Sequence, residues 1–151
     1  MAQTANAFTA AGGAIEYATD GGTTYTDMAG VTTRIVASGG ERATGLRYTL
    51  DGETAIVTLG KLAPYSLAIT LLDENATTGT YADFLAAYAN GTAIRVRWSP
   101  AGGTTGDLEN TSSADSYVTV FPYGSADSEE AAAHAIEMTM LVGSIGQAAA
   151  A

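Results

Sequence analysis

His134 is the chain's single imidazole and the first place to look for acid–base or nucleophilic chemistry. A Ser-His-Asp triad would have to use it, yet no G-x-S-x-G elbow occurs in the sequence. Flanked by Ala133 and Ala135 and following Glu129-Glu130, it reads as a partly exposed structural side chain near a strand start. Carboxylates adjoin at Asp73-Glu74 and at Glu129-Glu130. General acid/base pairs need a separation and unlike environments that sequence neighbours do not supply. Asp73-Glu74-Asn75 has the residue types of a turn at a strand exit. Asp107-Leu108-Glu109-Asn110 offers oxygens to Ca²⁺ but lacks the D-x-D-x-D-G spacing, so a turn is its first reading and a cation site its second.

The remaining motifs are equally unproductive. The glycine pairs Gly12-Gly13, Gly21-Gly22, Gly39-Gly40 and Gly102-Gly103 fit neither G-x-x-x-x-G-K-[ST] nor G-x-G-x-x-G, and read as turn residues. Arg95 and Arg97 share one strand face, where pairing with nearby acids is the simpler role than holding phosphate. With no cysteine there are no disulfides, thiol catalysis, Fe–S clusters or Cys-type zinc sites. The sequence therefore predicts neither catalytic residues, nor a metal, nor a cofactor.

The elements that carry these residues are mostly strands, because large apolar residues recur at period two. Leu46–Leu50, the Asp51-Gly52 turn and Glu53–Leu59 predict a hairpin in which Ala55, Val57 and Leu59 share a face. Further strands are predicted at Ala14–Ala18, Val31–Ala37, Tyr65–Leu72, Ile94–Trp98, Tyr117–Phe121 and Ala135–Val142. Thr80–Asn90 differs: Tyr81, Phe84, Leu85 and Tyr88 fall at i, i+3, i+4 and i+7 and predict an amphipathic helix. Thr80 is its expected N-cap with Asp83 at N3, and Asn90-Gly91 its stop. Thr19–Gly30, Ser99–Ala114 and Pro122–Glu130 read as loops. The expected core is Leu46, Tyr48, Val57, Ile69, Leu71, Phe84, Leu85, Tyr88, Val96, Trp98, Val118, Val120, Met138 and Met140.

Composition bounds the whole. A chain of 151 residues with no repeat and no linker fits one domain, 1–151, that is mainly β: a β-sandwich or barrel with one short flanking helix. Residues 1–13 and 143–151 are expected to be extended terminal arms. Six Lys+Arg against sixteen Asp+Glu give −10, a poor balance for attracting phosphates. All six cations precede Trp98, and everything after it is purely acidic. The uncharged run Met1–Ile15 lacks the positive start of a signal peptide, so neither export nor a membrane span is expected.

The strings Thr24–Val31, Asp51–Glu53, Leu59–Lys61, Ile69–Asn75 and Ile94–Gly102, with the helix Tyr81–Asn90, together resemble a long-tailed (siphophage-type) bacteriophage major tail tube protein over roughly residues 14–142. The resemblance implies a structural virion protein, assembled in the host cytoplasm, that forms stacked hexameric rings. The rings would make a hollow tube with a negative lumen, the conduit for DNA at ejection. Its partners would be copies of itself and tail tip, terminator and tape-measure proteins, with DNA passing unbound and no membrane involved. The hairpin and the later strands would line the lumen, with Asp51, Glu53, Asp107, Glu109 and Glu137 the candidate lumen acids. Asp20, Tyr25, Asp27 and Met28 would form an inter-subunit loop. The alternatives are a secreted β-sandwich adhesin or carbohydrate-binding module, and a capsid decoration protein.

Overall fold

A computed structural model describes residues 12–50, 52–74, 76–124 and 133–151. In chain order the strands are β1 (Ala14–Ala18), β2 (Thr26–Asp27), β3 (Thr32–Gly39), β4 (Arg42–Arg47), β5 (Ile56–Leu62) and β6 (Tyr65–Leu72). Helix α1 (Thr80–Asn90) comes next. It is followed by β7 (Arg95–Ser99), β8 (Leu108–Ser112), β9 (Ser116–Val120), β10 (Ala135–Val142) and β11 (Ile145–Ala149). They form two larger antiparallel sheets, ordered β11-β8-β7-β1-β2 and β3-β6-β10-β9, and a separate ribbon of β4 and β5. The fold is mainly β, a sandwich with one short helix, as the residue pattern predicts.

Period-two burial decides what lies between the sheets. On β6, Leu67, Ile69 and Leu71 are fully buried, and on β10 Ile136, Met138, Met140 and Val142 join them. Their registers interlock, with Met138 opposite Ile69 and Met140 opposite Leu67. Ile15 and Tyr17 of β1 and Val96 of β7 complete the core from the facing sheet. Val118 is buried with them, and Trp98 packs at the margin. Two registers in the four-stranded sheet slip, at Thr32/Arg34 against β6 and at Thr139/Met140 against β9. The second slip turns Val120 outward to 53% exposure, against the expectation that it is core.

Helix α1 packs Phe84 and Ala87 into the core, with the Phe84 ring 5.2 Å from that of Tyr17. Leu85 is partly buried against it, whereas Tyr88, expected in the core, is 38% exposed and stacks on Phe121 at the margin. The N-cap is Gly79 rather than Thr80, which is the first helical residue. No side chain caps from that position; Glu74 Oε2 instead accepts the Tyr81 amide at 3.2 Å. Asp83 accepts the Tyr17 hydroxyl at 2.5 Å. Burial, then that bond to a carboxylate, pushes the Tyr17 phenol up to about 12. Gly91, at φ 63°, closes the helix as expected.

Three segments read as irregular hold strands: the two residues of β2 lie inside Thr19–Gly30, and β8 and β11 are longer. β8 lies inside the Ser99–Ala114 stretch, and β11 occupies the region expected to be a C-terminal arm, pairing with β8 from Ile145↔Ser112 to Ala149↔Leu108. Polar burial hid β8: Ser112 Oγ accepts the Val96 amide at 2.9 Å, and Ser99 donates to the Leu108 carbonyl at 2.9 Å. Residues 1–11 of the expected N-terminal arm, and Asp51, Asn75 and 125–132, lie outside the described residues.

Candidate functional site

The β4–β5 hairpin is the least satisfied part of the molecule. It leaves the sandwich between β3 and β6, at a root where Gly39 and Gly40 take φ 84° and 72°. A Cβ on Gly39 would stand 2.8 Å from the Pro64 carbonyl oxygen, and one on Gly40 would clash with the Tyr65 ring edge at 2.2 Å. Only glycine makes this bend. Beyond it Ala63 donates to the Glu41 carbonyl at 2.8 Å, and the strands pair from Arg42↔Leu62 to Arg47↔Ile56. The pairing ends at Arg47↔Ile56, earlier than the Leu46–Leu50 alternation suggests.

Leu46 faces Val57 across the ribbon, and Thr44 faces Leu59, so Leu46, Val57 and Leu59 form one apolar stripe. They are 64%, 62% and 69% exposed. Leu46, Tyr48 and Val57 were expected in the core; the reason they are not is that neither large sheet covers this ribbon. A lone two-stranded hairpin is marginal in water, and a contiguous exposed apolar stripe marks a contact surface.

The four-stranded sheet offers a second surface. Its strands alternate in direction, and among the described residues both edges, β3 and β9, have no neighbour on one side. Its outward face runs in rows across the strands: Arg34–Thr70–Glu137, Val36–Ala68–Thr139–Val120 and Ser38–Ser66–Leu141–Tyr117. Small and hydroxyl side chains predominate. Of the candidate lumen acids, Glu137 is exposed on this face and Glu53 in the hairpin loop, while Asp51 is outside the described residues. Asp107 instead binds the Thr104 amide and hydroxyl at 2.9 and 2.7 Å. Glu109 lies on the other sheet, 3.8 Å from the Arg97 guanidinium. The four described acids therefore do not share one surface of a single copy.

The Thr19–Gly30 loop is tied inward. Asp20 accepts the Thr23 and Thr24 amides at 2.9–3.0 Å, and those bonds, Thr24's first, hold its carboxyl below the usual range. Tyr25 lies under Arg97, 4.0 Å from ring centroid to guanidinium carbon. Arg97 also hydrogen-bonds Glu16; burial alone would lower its pKa, but Glu16 and then Glu109 raise it. Arg95 donates to the Gly21 and Ser112 carbonyls. Asp27 is exposed, binding the Ala29 amide at 2.9 Å. Met28, proposed as an inter-subunit contact, is instead 1% exposed, because the turn after β2 folds it into the core.

Chemistry finds little footing. His134 Nδ1 lies 3.3 Å from Asp73 Oδ2. Among the described residues no three His, Cys, Asp or Glu side chains gather to hold a metal. No helix among them is long and apolar enough to cross a membrane. A groove of about 420 Å³ between Ile15, Ile35 and Trp98 has Arg34 as its only charged lining residue.

No protein-family model matches the sequence, and no curated protein matches it. Solved structures do share the fold. A chain of the anti-feeding prophage baseplate, 6-fold symmetrised, is 10% identical with TM-score 0.66, and the match covers 99% of both chains. A chain of the sheath–tube complex of an extracellular contractile injection system, in its extended state, is 12% identical with TM-score 0.61, over 91% of this chain and 88% of that one. A chain of the anti-feeding prophage tube-terminating cap is 13% identical with TM-score 0.61, over 90% and 88%. At such identities the likeness is one of fold. These neighbours belong to contractile assemblies; none is a siphophage tube.

Proposed function

We propose that this chain is a structural, non-enzymatic protein of a tail-type assembly, polymerising as stacked hexameric rings into a hollow tube. The observation that carries the reading is the four-stranded sheet with two free edges of opposite direction. Copies set side by side by rotation can pair β9 of one with β3 of the next in antiparallel register, which removes the open edges of this sheet. The fold shared with chains of tube, baseplate and cap assemblies supports it. So does the exposed apolar hairpin, whose stripe needs a covering surface.

In such a ring the outward face of that sheet becomes the channel wall. It offers Ser, Thr and Ala beside Val36, Val120, Leu141 and Tyr117, and Glu137 is in the same cross-strand row as Arg34, so the wall has no cluster of cations to grip a phosphate. The channel serves DNA at ejection, unbound in transit. Of the acids expected in the lumen, Glu137 stands on this wall and Glu109 belongs to the opposite sheet. Tail tip, terminator and tape-measure proteins complete the particle, a virion tail assembled in the host cytoplasm. The siphophage-type assignment rests on the sequence resemblance alone. Negative-stain microscopy of concentrated purified protein tests the reading: tubes of uniform width with a central channel are expected. A strictly monomeric species with glycan-dependent binding overturns it in favour of an adhesin.

A further inference from the structure

We infer that the groove between Ile15, Ile35 and Trp98 is the docking site of the chain's own residues 1–11, with Phe8 as the anchor. The inference concerns what covers the groove within one copy, and it stands apart from the ring reading.

The groove opens where the two large sheets part, between β1 and β7 on one side and the first residues of β3 on the other. Its volume of about 420 Å³ is that of a ligand-sized recess. Its hydroxyls already serve the fold. Thr32 donates to the Met28 carbonyl at 2.9 Å, Thr33 to the Thr70 carbonyl at 3.4 Å and Ser99 to the Leu108 carbonyl at 2.9 Å. Arg34, its one charged lining residue, shares a cross-strand row with Glu137 on the outward face of the sheet. What the groove offers is therefore mainly apolar surface, with Trp98 and Ile35 only half-buried along it. An occupant with a charge of its own would lose water there without gaining a partner. An uncharged occupant with one large apolar side chain fits.

Residues 1–11, MAQTANAFTAA, have that composition: no charged side chain, and Phe8 as the only aromatic. The chain has three phenylalanines, and the other two, Phe84 and Phe121, are both buried. The segment is also joined to the chain at the groove itself, because Gly13 and Ala14 line it. Phe8 precedes Gly12 by four residues, a reach of about 13 Å for extended chain. The path must turn at Gly12-Gly13 to lie back over the groove, and two adjacent glycines permit such a turn. Space is free there, since a Cβ on Gly12 would meet no atom within 4 Å. A short tether of this kind holds its end at an effective concentration in the millimolar range, which favours the chain's own segment over that of a second copy.

Trp98 is the only tryptophan in the chain, so its fluorescence reports on the groove directly. In the full-length protein, kept dilute, Phe8→Ala should shift the Trp98 emission to the red and raise its quenching by acrylamide several-fold. Phe8→Leu, which keeps a large apolar side chain, should stay close to the wild type in both. Nuclear Overhauser contacts between the Phe8 ring and the Trp98 indole are expected in the wild-type protein, which also covers the case in which a substitution disturbs folding. Emission and quenching unchanged in Phe8→Ala, or no contact between the two rings, overturns the inference. Contacts found only between differently labelled copies in a mixed sample also overturn it, by making a second copy the occupant.

Discussion

Strands β5 and β6 follow each other in the chain and draw on similar residues, IVTLGKL and YSLAITLL, yet they sit in opposite environments. β6 is central in its sheet and hides Leu67, Ile69 and Leu71 completely. β5 has one neighbour, and every one of its residues is exposed. A hydrophobic side chain stabilises whatever removes it from water. For β6 that partner is the rest of the same chain. For β5 the sandwich supplies none, and the proposed assembly would provide it. The stability of the sandwich and the capacity to assemble should therefore be separable by mutation.

The widest separation is expected from Leu46→Asp/Val57→Asp. Assembly, followed by light scattering and microscopy, should be lost by orders of magnitude, while the thermal midpoint of the monomer stays within a few degrees. A large fall in that midpoint would break the contrast by showing that the stripe serves the fold. Conversely Ile69→Ala, which empties a fully buried site, should cost about 2–5 kcal/mol of unfolding free energy in urea. Gly39→Ala acts at the border between the regions. Its φ of 84° and the close Pro64 carbonyl predict a loss of about 1–3 kcal/mol, or a re-angled hairpin that assembles poorly at unchanged stability. The smallest effect concerns Tyr17. A phenol that ionises at about 12 in the fold and about 10 when unfolded stabilises fully below pH 10 and progressively less up to pH 12. Tyr17→Phe should remove that alkaline slope, about 1–2 kcal/mol across the window, in pH-dependent urea melts.

The same contrast explains what could be read from residues alone. β1, β6, β10 and α1 have the boundaries that alternation and helical spacing predict, because their large side chains face one covered side. β8 and β11 were missed because LENTS and IGQAA carry almost no apolar alternation; backbone pairing and buried serines hold them instead. At the hairpin the alternation is genuine, and the error was to equate it with burial. Leu46 and Val57 obey the same period as Ile69 and Met138, and period says which face is apolar without saying which molecule covers it. Met28 failed in reverse: a residue in a Gly/Thr-rich stretch has no periodic signal, yet its turn delivers it to the core.

The even count of strands in the β3-β6-β10-β9 sheet settles a matter of parity. Rotation about a common axis preserves strand direction, so in the proposed ring every junction between copies would be antiparallel, whether five, six or seven copies closed the circle. Hydrogen bonding at the seams is thus indifferent to membership. What selects the number is how sharply each four-stranded segment coils. The slips at Thr32/Arg34 and Thr139/Met140 are the two places where that coiling is written into the backbone.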